Sequence, residues 1–149
     1  MSSEMPWAAA TGGDLALAAR LRAVGLRATR ARLAAYRALA ELGGHRSVDE
    51  LVAELRARGQ ALPRAAVYDV VEALRLAGVV MGADAGPGGA VYEVATTRHH
   101  HFVCRGCADV IDVPCVAGHA PCLEGGAEAG VADEAQVIFR GLCKRCAET

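Results

Sequence analysis

Residues 98–107 have the sequence RHHHFVCRGC, in which three consecutive histidines run directly into a Cys-x-x-C pair. A second Cys-x-x-C pair closes the chain, so the four cysteines are Cys104, Cys107, Cys143 and Cys146. Two thiolates on a tight turn form half of a tetrahedral zinc site, and a distant pair supplies the other half. One such motif alone could be a redox pair with a lowered thiol pKa. Two motifs beside predicted strands favour a closed structural zinc site.

The histidines of the same stretch predict a second metal site. Four thiolates favour zinc, whereas imidazoles beside carboxylates favour Fe2+ or Mn2+. His99 and His101 alternate along an extended segment and therefore face one side, while His100 faces the other. Asp112 lies on the neighbouring predicted strand. Spacing alone supports only the His99–His101 pair as ligands, a polar strand without metal is the alternative, and His45 could be a lone loop histidine.

The composition is that of a folded protein with one domain or two small ones. The chain has 149 residues, of which 53% are hydrophobic and 22% charged. No apolar run has the length of a membrane span, and the first residues lack the basic region and apolar core of a signal peptide. The paired cysteine spacing favours reduced thiols over a secreted disulfide framework. We therefore expect a cytoplasmic protein without a membrane partner.

The net charge of −1 conceals an asymmetry between the two halves of the chain. Residues 1–82 contain eleven arginines and eight acidic residues, whereas residues 83–149 have a net charge of −4. Six arginines and no acidic residue lie between Arg20 and Arg37. This pattern suits an anionic partner for the first half and cations for the second. It is also compatible with arginine serving merely as the preferred solvating residue, since Lys144 is the only lysine.

Helical periodicity and capping signals predict four helices in the first half. They run from Asp14 to about Val24, from Thr29 to Gly43, from Ser47 to about Arg58, and from Pro63 to about Ala77. Ser47 and Glu50 have the spacing of a capping box. The predicted inward faces include Leu15, Ala18, Leu21 and Val24 in the first helix, and Val67, Val70, Val71, Leu74 and Leu76 in the fourth.

Two strands, residues 79–81 and 91–94, follow around the glycine-rich connection ADAGPGGA. Four helices followed by such a wing predict a winged helix-turn-helix, whose last helix enters the major groove of DNA. Three further strands are predicted at residues 101–103, 110–113 and 135–140. The predicted fold class is α+β, with an N-terminal winged helix-turn-helix and a small C-terminal α/β dimerisation domain. The expected boundaries are a flexible arm at 1–13, a DNA-binding domain at 14–94, a hinge at 95–98, and a metal-binding dimerisation domain at 99–149.

From about Asp14 to Cys146 the chain resembles the ferric uptake regulator (Fur) family of metal-dependent bacterial repressors. The resemblance rests on GLRATRARLAAYRAL, HRSVDELVAEL, AAVYDVVEALRLAGVV, VYEVATTRHHHFVCRGC and the closing CKRC. It implies a homodimer with structural zinc in the paired Cys-x-x-C motifs. It also implies a sensing metal that bridges the two domains, with ligands at His45, Glu93, His99, His101 and Asp112.

Two details of the resemblance indicate a branch of the family. Where the family commonly has T-V-Y-R, this chain has AVYD at residues 66–69, and together with PCVAGHAPC this is similar to the actinobacterial, catalase-associated branch. Asp112 resembles the peroxide sensors, since iron sensors usually carry glutamate there. In those sensors bound Fe(II) reacts with hydrogen peroxide and a ligand histidine is oxidised, here His45 or His99. We therefore expect a repressor of catalase or other oxidative-stress genes that is not an enzyme.

Two alternatives remain. A repressor of iron or other divalent-metal uptake would share the fold but would be insensitive to peroxide. A zinc-dependent hydrolase or a thiol oxidoreductase would need an open metal position or a thiol of low pKa, and would not need arginine-rich helices.

The resemblance implies that the partner is double-stranded operator DNA. It places Tyr68 on the recognition helix, in contact with bases, although periodicity alone also allows a core aromatic residue. Arg64, near the start of that helix, suits phosphate or guanine. Arg27, Arg30 and Arg32 suit phosphate contacts.

Some family features are missing or added. A second histidine–carboxylate site of some members needs ligands where this chain has Arg98 and Ala135. A proline- and glycine-rich segment replaces the dimerisation helix. Cys115 and Cys122 are additional thiols, either buried small side chains or partners in a redox disulfide.

Overall fold

A computed structural model describes residues 13–94, 99–116, 129–131 and 135–149. These residues fall into two compact units, which are described separately. The N-terminal unit contains residues 13–94, and the C-terminal unit contains the described residues from His99 onward. Most of the predicted arm, the whole predicted hinge, Arg98 and Cys122 lie outside the described residues.

The N-terminal unit has the predicted winged helix-turn-helix architecture. Its helices are α1 (Asp14–Ala23), α2 (Arg30–Leu42), α3 (Val48–Ala57) and α4 (Arg64–Leu76). Its strands are β1 (Arg46–Ser47), β2 (Met81–Asp84) and β3 (Ala90–Glu93), and they form an antiparallel sheet in the order β1-β3-β2. A short 3-10 turn, Gly86–Gly88, connects β2 and β3 into the wing. The strand β1 was not predicted, because two residues are too few for a periodic pattern.

The helices begin close to the predicted capping residues. The Thr29 side chain accepts a hydrogen bond from the amide of Arg32 at the start of α2. Ser47 and Glu50 form the expected capping box, with reciprocal hydrogen bonds of 3.2 and 2.8 Å. The bond from the Ser47 amide is the main reason that the pKa of Glu50 is lowered. The cap of α1 is Gly13, one residue earlier than the predicted Asp14. The helix α4 begins at Arg64, one residue later than predicted, and Pro63 is its cap.

The core of this unit lies between the helices and the small sheet. Its fully buried members include Leu21, Leu39, Leu51, Leu55, Val67, Val71, Leu74 and Tyr92. The predictions for Leu15, Val24 and Leu76 were wrong, since these side chains are 87%, 43% and 76% exposed. The helix α1 instead buries Leu17, Ala18 and Leu21. Leu76 is the last residue of α4, where the chain turns away at Gly78, which has a φ of +72°.

The C-terminal unit is built on a three-stranded sheet. Its strands are β4 (His99–Cys104), β5 (Val110–Pro114) and β6 (Ile138–Gly141), in the order β5-β4-β6. The central strand β4 pairs antiparallel with β5 and parallel with β6. A single helical turn, α5 (Lys144–Ala147), follows β6. The third strand therefore begins three residues later than predicted, and the turn α5 was not predicted.

The longest helices, α2 and α4, have 13 residues each. Within the described part of the chain, no helix has both the length and the apolar character needed to cross a membrane.

Candidate metal centres and nucleic-acid interface

The sulfur atoms of Cys104, Cys107, Cys143 and Cys146, here called the cysteine cluster, all lie within 4.8 Å of one another. Cys104 ends β4, and Cys107 follows in the next turn. Because β4 and β6 are parallel and pair Cys104 with Gly141, the chain reaches Cys143 beside the first pair two residues later. This arrangement is that of a structural zinc site with four thiolate ligands. Four protein ligands leave no open position for catalysis at this centre.

The backbone around the cluster stabilises thiolate at Cys104. Its sulfur accepts hydrogen bonds from the amides of Gly106 and Cys143, each at 3.3 Å, and of Cys107 at 3.5 Å. These bonds, chiefly that from Cys143, lower the pKa of Cys104 to about 6. By contrast, the hydrogen bond with the Cys143 side chain, followed by burial, raises the pKa of Cys146 to about 12. The four sulfurs can therefore all be ionised only around a cation.

Gly106 is required by the close packing of the two cysteine turns. A Cβ atom at this position would lie 3.0 Å from the sulfur of Cys146 and 3.1 Å from its Cβ. Such a contact is tighter than ordinary van der Waals packing, so a larger residue would require the second turn to shift by a few tenths of an ångström.

Arg145 was not identified from the sequence as part of this site. Its guanidinium lies 3.1 Å from the Asp109 carboxylate, and its interaction with the Cys107 sulfur is the main reason that its pKa is raised. A tetrathiolate zinc site carries a net negative charge, which this cation partly balances. The signal available in the sequence was a basic residue between the last two cysteines.

The N-terminal unit contributes one histidine–carboxylate pair. Arg46 pairs with Tyr92 across β1 and β3, and this register places His45 opposite Glu93. The Nε2 atom of His45 lies 3.1 Å from Oε1 of Glu93, and the two side chains are only 13% and 8% exposed. Arg46 stabilises the connection between α2 and β1, because its guanidinium donates hydrogen bonds to the carbonyls of Gly43 and Leu42. Arg46 caps the end of α2 in this way, which sequence reasoning missed.

The C-terminal unit contributes the second histidine–carboxylate group. The Nε2 atom of His99 lies 3.3 Å from Oδ1 of Asp112, and the rings of His99 and His101 are 4.8 Å apart. His101 is directly opposite Asp112 in the β4–β5 register and is 1% exposed. His100 lies on the other face of β4, opposite Val113. Three potential ligands therefore share one face of the sheet, and a cation would offset the cost of burying the two imidazoles.

The predicted DNA-contacting residues of α4 are on the surface. Tyr68 is 46% exposed, which excludes the alternative of a core aromatic residue. Arg64 is also exposed, and its Nε atom lies 2.7 Å from Oδ1 of Asp49 in α3. This bond is the main reason that the pKa of Arg64 is raised. Exposed ion pairs contribute little free energy, so Arg64 can exchange Asp49 for a nucleic acid.

The predicted phosphate-binding arginines differ in their surroundings. Arg27 and Arg30, together with Arg22, line a groove of about 620 Å³ beside Thr29 at the start of α2. A helix N-terminus surrounded by arginines favours an anion. Arg32 is only partly exposed, and its guanidinium donates a 2.9 Å hydrogen bond to the carbonyl of Arg27. Arg32 therefore shapes the loop before α2.

Comparisons with known proteins agree with this architecture. A family model described as the ferric uptake regulator family matches residues 23–116. The chain is similar to the transcriptional regulator FurA of Mycobacterium tuberculosis, with 39% identity over 131 residues that cover 87% of this chain and 88% of that protein. It is 39% identical over 121 residues to ferric uptake regulation protein 1 of Mycolicibacterium fortuitum, covering 80% of this chain and 74% of the relative. The structure of the Vibrio cholerae ferric uptake regulator aligns with a TM-score of 0.61 and 29% identity, covering 84% of this chain and 98% of that one.

The cysteine cluster leads to a prediction for zinc retention. We expect Cys107→Ser to abolish the zinc that survives an EDTA wash and to unfold the C-terminal unit. The reason is that structural zinc contributes about 10 kcal/mol or more to folding of such sites. Zinc is measured by elemental mass spectrometry and folding by circular dichroism.

Cys115→Ser is the matched control, since Cys115 directly follows β5 and lies outside the cysteine cluster. This variant should retain its zinc. Retention of EDTA-resistant zinc by Cys107→Ser would contradict the assignment.

Proposed function

Because the chain belongs to the ferric uptake regulator family of metal-responsive transcriptional regulators, we propose that it is a homodimeric repressor that senses hydrogen peroxide through bound Fe(II). Its targets are catalase or other oxidative-stress genes, and it is not an enzyme. The observation that carries the proposal lies on β4. One end of this strand holds a thiolate-only cluster, and the other end holds histidines beside a carboxylate. Such a division of ligand types suits permanent zinc at one end and an exchangeable metal at the other.

The proposed regulatory metal uses ligands from both units. His45 and Glu93 form one half of its site, and His99, His101 and Asp112 form the other half. A metal bound to both halves stabilises the DNA-binding conformation and so raises the affinity for DNA. By thermodynamic linkage, bound DNA raises the affinity for the metal by the same factor. Metal binding and operator binding are therefore coupled.

Peroxide sensing is proposed because Asp112 resembles the ligand of the family's peroxide sensors at this position. Fe(II) held by these ligands would activate hydrogen peroxide, so that one peroxide oxygen is inserted into an imidazole C–H bond and the other leaves as water. His45 and His99 are the expected targets, each beside a carboxylate at 3.1 or 3.3 Å. An oxidised ring is a poorer ligand, so the regulatory site loses its metal and the repressor leaves its operator. Mn(II) occupies the same ligands without this chemistry.

The homodimer is proposed to form through the C-terminal sheet. Ile111, Phe102 and Phe139 are directly opposite one another on β5, β4 and β6, and form an apolar row across the sheet. Ile111 is 44% exposed and Phe139 is 47% exposed. A contiguous exposed row of this kind suits burial against a second copy, and two copies present two recognition helices to an operator.

A repressor of iron uptake is the second candidate. It is favoured by the similarity to a protein named ferric uptake regulation protein 1, and it differs by insensitivity to peroxide. The third alternative, a hydrolase or a thiol oxidoreductase, is disfavoured by the closed cysteine cluster.

The regulatory site predicts a separation between zinc content and DNA binding. We expect His99→Ala to lose Mn(II)-dependent binding to duplex DNA, with a decrease of roughly tenfold or more in affinity, while EDTA-resistant zinc stays at the wild-type level. A gel-shift titration and elemental analysis measure the two properties. His100→Ala changes the neighbouring side chain on the opposite face and should keep both. Joint loss of zinc and DNA binding in His99→Ala would count against two separate sites.

Peroxide sensing predicts a specific covalent change. After a low dose of hydrogen peroxide, peptide mass spectrometry of the Fe(II)-loaded protein should find one added oxygen on His45 or His99. The same dose should leave the Mn(II)-loaded protein unmodified, because manganese does not supply the chemistry. An unmodified pair with a new Cys115–Cys122 disulfide would transfer sensing to the thiols. No change at all would favour the metal-uptake repressor.

The dimer predicts a test on the apolar row. Phe139→Asp should weaken dimerisation by about 2 kcal/mol or more, because it buries a charge in an apolar interface. Sedimentation equilibrium of the zinc-loaded protein measures the dissociation constant. Leu15→Asp is the matched control, since Leu15 is an equally apolar, exposed residue of α1 in the N-terminal unit. A dimer unaffected by Phe139→Asp would exclude this face.

A further inference from the structure

Tyr92 makes a hydrogen bond that the proposed function does not use. Its side chain is 2% exposed, and its hydroxyl donates to Oε1 of Glu72 at 2.6 Å. Tyr92 lies on β3 directly before Glu93, and Glu72 lies in α4. The bond therefore connects the strand that carries a proposed metal ligand with the proposed recognition helix, within one unit.

The carboxylate of Glu72 is held from two sides. The Nε atom of Arg75 lies 3.1 Å from Oε2, while the Tyr92 hydroxyl occupies Oε1. Burial raises the pKa of Glu72, but the bonds from Arg75 and Tyr92 outweigh this effect and leave the pKa lowered. The carboxylate is thus ionised near neutral pH, and a hydrogen bond from a buried hydroxyl to a charged acceptor is among the stronger ones.

Gly82 provides the space for this arrangement. It lies opposite Tyr92 in the β2–β3 register, and a Cβ atom there would be 3.4 Å from the Tyr92 ring and 2.8 Å from Cδ of Arg75. A larger residue would displace the Arg75 side chain, which holds the Glu72 carboxylate. The contact between α4 and the wing is therefore built for close approach.

The spacing along α4 places Glu72 on the same side of the helix as the proposed DNA-contacting residues. Arg64, Tyr68 and Glu72 are four residues apart and lie in one row along the helix. The first two are the proposed DNA-contacting residues. The bond at Glu72 therefore adds to the core contacts of Val67, Val71 and Leu74 that set the rotation of the helix presenting them.

We propose that Tyr92 is a positioning residue that couples metal binding at His45 and Glu93 to the orientation of α4 on DNA. This inference rests on the proposed metal-dependent repressor function. A metal that holds Glu93 fixes the four-residue strand β3, and the Tyr92 hydroxyl transmits that position to Glu72. Removal of the hydroxyl changes neither the proposed metal ligands nor the proposed DNA-contacting side chains, and it removes the hydrogen bond between Tyr92 and Glu72.

The test compares DNA affinity with and without metal. The probe is a duplex enriched from a random-sequence library by the Mn(II)-loaded wild-type protein. Dissociation constants are measured by fluorescence anisotropy in Mn(II) and in chelator. The readout is the dissociation constant in chelator divided by the dissociation constant in Mn(II). A purely structural role would not change this ratio, because general weakening lowers both affinities alike.

Tyr92→Phe should reduce this ratio by about fivefold or more, the lower limit of ordinary coupling between sites. Zinc content and Mn(II) affinity without DNA should stay at the wild-type level. Glu72→Gln removes the charge of the acceptor and should reduce the ratio in the same direction. It also keeps the inference testable if Tyr92→Phe does not fold.

Tyr36→Phe is the matched control. Tyr36 is the other buried tyrosine of the described chain, at 5% exposure in α2, and its hydroxyl has no hydrogen-bond partner among the described residues. The ratio of dissociation constants for Tyr36→Phe should equal that of the wild type.

The outcomes separate the inference from the proposed function. An unchanged ratio in both Tyr92→Phe and Glu72→Gln would overturn the inference, as would equal weakening with and without metal. A reduced ratio in Tyr36→Phe as well would also overturn it, because any lost hydroxyl would then have the same effect. If the wild-type protein itself enriches no duplex in a Mn(II)-dependent way, the proposed function fails.

Discussion

The pairing of β4 with its two neighbours is the constraint on which the C-terminal unit depends. The antiparallel pairing with β5 sets Asp112 opposite His101, and the parallel pairing with β6 delivers the last two cysteines beside the first two. A shift of one residue in either register would turn ligands to the opposite face of the sheet. Because the sheet has only three short strands, zinc binding and strand register must support each other: the metal fixes the register, and the register assembles the metal site.

In the N-terminal unit, hydrogen bonds hold His45 in position. A two-residue strand, β1, has little pairing energy of its own, yet it positions His45. Arg46 compensates by binding the carbonyls at the end of α2, and the capping box at Ser47 starts α3 immediately afterwards. The histidine is thus held between two helices whose ends are fixed by neighbouring residues. This rigidity suits the proposed role of His45 as a metal ligand whose loss changes the behaviour of the whole unit.

The sequence was informative where a local rule decides the structure. Caps at Thr29 and Ser47, the alternation of His99 and His101, and the paired cysteine spacing each follow from neighbours in the chain, and the structure has the corresponding elements. The errors concern positions where tertiary packing decides. Leu15 fits a helical stripe, but the adjacent stripe with Leu17 is the one that meets the core.

Other features could not be predicted, because their partners are distant in sequence. Arg145 meets Asp109, Arg64 meets Asp49, and Tyr92 meets Glu72 only once the chain has folded. No periodicity or spacing rule identifies such pairs. The joint use of His45 with the ligands of the C-terminal unit rests on family resemblance for the same reason.

The ion pair between Arg64 and Asp49 affects how strongly the proposed DNA contact of Arg64 depends on ionic strength. An arginine that faces solvent releases counterions from the DNA backbone when it binds phosphate, and so makes affinity fall steeply with salt. The guanidinium of Arg64 already pairs with Asp49 at 2.7 Å, so the proposed transfer of Arg64 to DNA would exchange one anionic partner for another. Its net contribution to the salt dependence is therefore smaller than that of Arg27 or Arg30.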